Sequence, residues 1–178
     1  YYYFRLARMF GGMPLIDFVV KSSNEWAQKR ATLDETMKFI IDDFTHAENL
    51  LWLKDKYSDE ELGRATKGAA QAMLLKAYLY RADYLRNAGD ETEAQKCFAE
   101  AAKWGKKVIT SRQYSLCPDY FDNFRLAKEN GQESVFEIQY TEDPTSDYGG
   151  EGYTRGTMTT ILQRSRSSAF GEAGWGYN

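Results

Sequence analysis

Histidine, cysteine and proline are scarce in this chain of 178 residues, and the scarcity excludes several kinds of site. The one histidine, His46, leaves little from which to build a histidine-rich metal site or a Ser-His-Asp triad. The two cysteines, Cys97 and Cys117, match no zinc or haem spacing, and both a disulfide and two free thiols stay open for them. The three prolines are few, as is typical of a mostly helical chain.

The chain also lacks an excess of positive charge and a long apolar run. It has 23 Lys and Arg residues against 26 Asp and Glu residues, a formal net charge of −3, which argues against a nucleic-acid partner. No apolar run approaches the roughly 18 residues of a membrane-spanning helix. Hydrophobic residues at 43% and charged residues at 28% suit one ordinary globular domain with a buried core.

Apolar residues recur at helical spacing through the first two thirds of the chain. The opening pattern stops at Gly11-Gly12, a common helix ending. Thr32 and Glu35 fit a capping box that starts a second, amphipathic helix. Gly89 separates the third helix from the fourth. After the opening helix, the predicted helices span about residues 32–52, 64–87 and 92–111. The helical aromatic residues Phe44, Phe98 and Trp104 are predicted to belong to the core.

The third and fourth predicted helices carry the residue spacing of a tetratricopeptide hairpin. The facing positions are Tyr78, Ala82 and Leu85 on one helix and Ala94, Phe98 and Ala101 on the next. The pattern departs at Arg81, where an apolar residue is usual, and at Lys106, where proline is usual. Two antiparallel packed helices are therefore expected, and no second copy at that period is clear.

The composition changes at about residue 113. Residues 133–140 alternate and are rich in β-branched and aromatic side chains, which makes them the best strand candidate. Residues 141–178 contain seven glycines and read as a long loop region. We therefore predict a mainly α fold with tetratricopeptide-like helical hairpins, a long irregular loop region and one or two short strands. Residues 1–112 would form the scaffold, and residues 113–178 the irregular part of the same domain.

No pattern of catalytic residues stands out. Asp42-Asp43 and the Glu133/Glu137 pair are the nearest carboxylate pairs, and neither spacing places two carboxylates across a glycosidic bond. The glycines between residues 150 and 156 lack the spacing and the lysine of a phosphate-binding loop. The sequence therefore predicts no catalytic residue, no bound metal and no cofactor.

Three segments together resemble the SusD/RagB family. They are Tyr1–Ile16 (YYYFRLARMFGGMPLI), Gly63–Tyr80 (GRATKGAAQAMLLKAYLY) and Glu133–Tyr140 (ESVFEIQY). The resemblance implies an outer-membrane, surface-exposed lipoprotein that binds an oligosaccharide and delivers it to a SusC-like TonB-dependent transporter, without catalysis. It also implies that the chain is a middle fragment of a longer protein, and that any membrane attachment would be a lipid anchor outside this fragment.

Aromatic residues make up 15% of the chain, and some lie in the glycine-rich region where a glycan site is expected. Aromatic faces stack on sugars while nearby polar groups bind hydroxyls. The candidate glycan-binding residues are Trp175, Tyr177, Tyr153, Arg155 and Tyr148. The same aromatic side chains would alternatively pin a loop to the scaffold. Two other functions stay open: a tetratricopeptide-like protein-interaction module, and a glycan-processing enzyme whose carboxylates converge only in three dimensions.

Overall fold

A computed structural model describes residues 1–139, and residues 1–137 form one compact unit. The described part is mainly α-helical, as predicted. Its α-helices are α1 (Tyr2–Phe10), α2 (Leu33–Leu50), α3 (Lys67–Asn87) and α4 (Glu91–Thr110). Short 3₁₀ turns lie at Ser23–Glu25, Lys54–Lys56, Asp59–Glu61, Tyr120–Phe124 and Leu126–Lys128. Within residues 1–139, no helix is long and apolar enough to cross a membrane.

The predicted capping box fixes the start of α2. The Glu35 backbone N–H donates to Thr32 Oγ1 at 3.2 Å, and the Thr32 backbone N–H donates back to Glu35 Oε2 at 2.8 Å. Hydrogen bonds from the Thr32 backbone and hydroxyl lower the pKa of the Glu35 carboxyl. This reciprocal pair satisfies two backbone donors that the first helical turn would leave unpaired.

The helices α3 and α4 form the predicted antiparallel hairpin. At the turn, Gly89 adopts a φ of +90°, and the Asp90 N–H donates to the Leu85 carbonyl at 2.9 Å. Alanine positions let the two helices approach closely, because Ala82 and Ala94 are both completely buried. The helices are also close at Gly105, where a Cβ would lie 2.6 Å from Leu75 Cδ1.

Arg81, the position that departs from the tetratricopeptide pattern, connects three helices. Its side chain is buried, and its Nε donates to Asp34 Oδ1 of α2 at 2.9 Å. Its Nη1 donates to Cys97 Sγ of α4 at 3.3 Å and lies 3.7 Å from Glu93 Oε1. The buried guanidinium thus has two acidic partners and a thiol around it, which explains how a charged residue replaces an apolar one inside the hairpin. Both cysteines are free thiols, and Cys97 is buried beside this group.

Two of the three aromatic core predictions are confirmed. Phe44 and Trp104 are each only 8% exposed, and both belong to the main hydrophobic cluster formed by α1 to α4. Phe98 is only half-buried and packs against a smaller buried cluster of Ala82, Leu85, Ala94 and Cys97, so it lies at the edge of the core rather than inside it. Cys97 takes the buried position, and Phe98 lies about 100° further round α4, where Arg86 approaches its ring.

The predicted strand over residues 133–140 is wrong for its described part, residues 133–139, which contains no strand. A strand needs a neighbour that takes its backbone hydrogen bonds. Here the Ser134 carbonyl accepts from the Lys54 side chain, and the Glu137 carboxylate accepts the Asn130 N–H. Residues 133–139 therefore form an irregular segment that has no partner strand among the described residues.

Candidate functional site

The start of α3 is where the helical scaffold, α1 to α4, meets the longer irregular segment formed by residues 111–137. Thr66 caps α3 by accepting the Ala69 N–H, and its hydroxyl also pairs with the Tyr114 hydroxyl at 2.8 Å. Burial raises the pKa of Tyr114. A Cβ at Gly68 would overlap the Tyr114 ring, so glycine is required for this close approach. The Gly63–Tyr80 segment therefore provides both the cap and the space that seat Tyr114.

Lys54 fastens residues 130–134 to the same place. Its Nζ donates to the carbonyl oxygens of Gly131 at 2.7 Å, Ser134 at 3.1 Å and Asn130 at 3.3 Å. Burial lowers the pKa of the Lys54 ammonium, and the nearby Glu137 carboxylate opposes that change. Three carbonyl acceptors use all the donors of one ammonium group, so this side chain holds the irregular backbone in a defined position.

Between these two parts lies a small, open cleft. It combines two aromatic rings, hydroxyl and amide groups, two cations and two carboxylates. The lining residues are Lys54, Tyr57, Glu61, Leu62, Gly63, Arg64, Thr66, Asn130, Ser134, Val135, Phe136 and Glu137. A small concave surface with apolar faces and a few placed polar groups is the general form of a small-ligand site.

Tyr57 is the aromatic side chain that the scaffold holds most firmly in this cleft. Its hydroxyl donates to the Ala65 carbonyl at 3.1 Å and accepts the Trp52 backbone N–H at 3.4 Å. The Trp52 ring lies beside it, with centroids 5.7 Å apart, and is 59% exposed. Tyr57 therefore gives the cleft a fixed aromatic wall, and the exposed Trp52 ring lies next to it.

The charged residues of the cleft are engaged with one another or with the backbone. Arg64 Nε lies 3.4 Å from Glu61 Oε1, and Glu61 also closes a capping box with Ser58. Glu137 accepts the Asn130 N–H at 3.4 Å. The two cations and two carboxylates that line the cleft balance in charge, which suits a neutral ligand rich in hydroxyl groups.

The five residues predicted to bind glycan lie outside the described residues. They are Trp175, Tyr177, Tyr153, Arg155 and Tyr148. Sequence reasoning missed Lys54 and Tyr57, because a lysine and a tyrosine between helices carry no distinctive spacing. The Gly63–Tyr80 segment was the available signal, since its glycines and Thr66 build one wall. Among residues 1–139, no group of histidine, cysteine or acidic side chains is placed to hold a metal ion.

Comparisons with known proteins consistently find SusD-like proteins. Residues 1–79 match the SusD-like family described as "Starch-binding associating with outer membrane". A SusD-like protein of Bacteroides ovatus is 29% identical over 174 residues, covering 97% of this chain and 29% of the relative. The SusD-like protein P2 of Formosa agariphila is 29% identical over 175 residues, covering 97% of this chain and 31% of the relative. The chain thus spans about three tenths of the length of these curated relatives.

Solved structures agree with this result. A laminarin-binding SusD-like protein is 26% identical with a TM-score of 0.68, over 85% of this chain and 31% of that one. A SusD-like protein from Bacteroides fragilis is 26% identical with a TM-score of 0.56, over 82% of this chain and 26% of that one. A structure with a xylogluco-oligosaccharide shares the fold at 23% identity, with a TM-score of 0.73 over 98% of this chain and 32% of that one. The comparisons confirm the predicted resemblance of this chain to the SusD/RagB family.

Proposed function

We propose that this chain is part of a non-catalytic protein that captures an oligosaccharide at the bacterial outer-membrane surface. The family resemblance supports the ligand class, and the cleft beside the start of α3 supports a place for it. In this proposal a surface lipoprotein passes its ligand to a SusC-like TonB-dependent transporter.

The observation that carries the proposal is the pairing of a fixed aromatic wall with balanced polar groups in the cleft. The Tyr57 ring, held by hydrogen bonds to Ala65 and Trp52, offers an apolar face to the C–H side of a sugar. Around it, Arg64 supplies donors and Glu137 supplies an acceptor for hydroxyl groups. Because the wall is already in place, little ordering entropy would oppose binding.

The engagement of the two cleft carboxylates favours binding over hydrolysis. A glycosidase places two carboxyl groups across the bond it cleaves, one of them as the proton donor. Glu61 instead pairs with Arg64, and Glu137 lies near the Lys54 ammonium. Capture by stacking and hydrogen bonding breaks no bond and needs no cofactor.

The cleft is tested by calorimetric titration of the intact protein with laminari- and xylogluco-oligosaccharides. Replacing Tyr57 by Ala should weaken binding of the preferred sugar by about tenfold, as truncation of a central aromatic contact does. Tyr84→Ala is the matched control, because Tyr84 is an exposed tyrosine on α3 that does not line the cleft. Binding of peptides with no binding across a wide glycan panel would contradict the proposal and favour the protein-interaction module.

The five loop residues remain part of the proposal. Trp175→Ala in the intact protein should weaken sugar binding by roughly 1–3 kcal/mol and barely change the melting temperature. The pinning alternative gives the reverse pattern, a loss of stability with affinity kept. Calorimetry and thermal unfolding of one variant separate the two. Unchanged affinity for every sugar that the wild type binds would remove Trp175 from the site.

A further inference from the structure

Three neighbouring aromatic rings on the 3₁₀ turn Tyr120–Phe124 face solvent. Tyr120, Phe121 and Phe124, here called the aromatic platform, are 67%, 66% and 70% exposed. Tyr120 packs edge-on against both others, with ring centroids 5.3 Å from Phe124 and 6.0 Å from Phe121. Contiguous exposed apolar side chains of this size mark interaction sites more often than single ones do.

The platform is braced by polar contacts beneath it. Asp119 Oδ1 accepts the Phe121 N–H at 3.0 Å, and Asn123 Nδ2 donates to the Tyr120 carbonyl at 3.2 Å. Asn123 Nδ2 also donates to Glu133 Oε2 at 3.0 Å, and the same oxygen accepts the Cys117 N–H at 2.9 Å. The hydrogen bond from the Cys117 backbone, with that from Asn123, lowers the pKa of Glu133. The rings are therefore displayed on a turn whose backbone is already fixed.

A polar group lies on the same turn as the rings. The Arg125 guanidinium bridges Asp122 Oδ1 at 2.6 Å and Asp119 Oδ2 at 3.2 Å. Its side chain is 56% exposed and that of Asp119 is 46% exposed, so both retain sites for further hydrogen bonds. A planar donor beside carboxylate acceptors matches the paired hydroxyls of a sugar ring, whereas a dry protein interface has few charged groups at its centre.

We propose that the aromatic platform is a second glycan-contact site, which stacks a neutral oligosaccharide while Arg125 and Asp119 bind its hydroxyls. This inference rests on the proposed function but uses a different surface, since no platform residue lines the cleft. A glycan is the favoured ligand because exposed aromatic rings and the exposed Arg125–Asp119 ion pair occur together on one turn that hydrogen bonds hold in place. The site needs no conformational change, since the rings are already exposed.

The test is calorimetric titration of the intact protein with the neutral oligosaccharide it binds best. Phe124→Ala and Phe124→Leu should each weaken binding about tenfold, because leucine keeps an apolar side chain but has no flat ring to stack. Phe124→Trp should keep or improve the affinity. Leu126→Ala is the control, since Leu126 is 82% exposed two residues away and aliphatic, and it should bind like the wild type.

The outcomes separate this inference from the proposed function. Wild-type binding that Tyr57→Ala weakens and all Phe124 variants leave unchanged would overturn the platform site alone. A wild type that binds no glycan would overturn the proposed function and this inference together. A Phe124→Ala variant that alters self-association in sedimentation, with sugar affinity unchanged, would instead make the platform a contact between protein copies and overturn the inference.

Discussion

The helical scaffold, α1 to α4, and the irregular segment, residues 111–137, are held together by different forces. Within the scaffold, Phe4, Ile40 and Leu74 are almost wholly buried, and apolar packing fixes the helices. No residue of the irregular segment is buried. Its shape depends instead on hydrogen bonds that involve Lys54, Thr66, Asn123 and Glu133.

This difference explains where a ligand surface can form. A segment held by directional polar contacts does not need to hide its rings, so they stay available on a defined backbone. The scaffold contributes by offering rigid attachment points, such as Thr66 at the start of α3. We infer that the helices carry the stability, and that the irregular segment together with residues 54–66 carries the ligand contacts. The four predictions below test that division, from the largest expected effect to the smallest.

The largest effect should come from the scaffold aromatic Trp104. Trp104→Ala removes a buried ring from the main cluster and should lower the free energy of unfolding by about 3–5 kcal/mol. Phe98→Ala on the same helix should cost only about 1–2 kcal/mol, because that ring is half-buried. Chemical denaturation measures both. Equal losses would contradict the burial that distinguishes the two positions.

Arg81→Met tests the buried connection between α2, α3 and α4. The change leaves Asp34 without one of its partners, and we expect a loss of about 3 kcal/mol in unfolding free energy. Arg86→Met is the control on the same helix, since Arg86 is exposed and its pair with Asp83 should contribute at most about 1 kcal/mol. An Arg81 variant as stable as the control would show that the network is not needed.

The junction between the two regions is tested by a double-mutant cycle at Gly68 and Tyr114. Gly68→Ala places a methyl group against the Tyr114 ring and should destabilise the protein by about 1–3 kcal/mol. Tyr114→Ala removes the obstacle, so adding Gly68→Ala to that variant should cost almost nothing more. Additive losses would mean that the clash is relieved elsewhere and that Tyr114 is not seated at Gly68.

The smallest effect is the acid response of Asp34. Burial would raise the pKa of this carboxyl, but hydrogen bonds and charges from Lys38 and Arg81 hold it below its usual value. The carboxylate therefore stabilises the fold above its unfolded-state pKa of about 3.9, and this contribution is lost as the pH falls through the lower folded-state value. Thermal melting from pH 6 to pH 2 should decline less steeply for Asp34→Asn than for wild type. Parallel curves would contradict this role.

The parts predicted from sequence follow local rules. The capping box at Thr32 and the glycine turn at Gly89 depend on residues within a few positions, and both are present as expected. The half-buried position of Phe98 depends on which neighbour lies beside α4, which periodicity alone does not specify. No strand forms at residues 133–139, where the Ser134 carbonyl accepts a hydrogen bond from Lys54, 80 residues earlier. Local residue patterns do not reveal a contact between positions so far apart.

The candidate site was less predictable for the same reason. Lys54 donates hydrogen bonds to residues 130–134, which lie 76 to 80 positions later in the sequence. No residue spacing in the sequence predicts these contacts. The family resemblance singled out the Gly63–Tyr80 segment, which contributes part of one wall of the cleft, but it predicted no ligand site there. It could not indicate that Gly68 makes room for Tyr114, because that contact exists only once the irregular segment has folded back.

Hydrogen exchange of the intact protein, with and without its preferred oligosaccharide, tests the division of roles most directly. The account predicts slow exchange in α3 and α4 that the sugar leaves unchanged, and new protection at residues 54–66 and 113–137 when the sugar binds. Protection confined to α3 and α4, with none at the cleft or the aromatic platform, would contradict it.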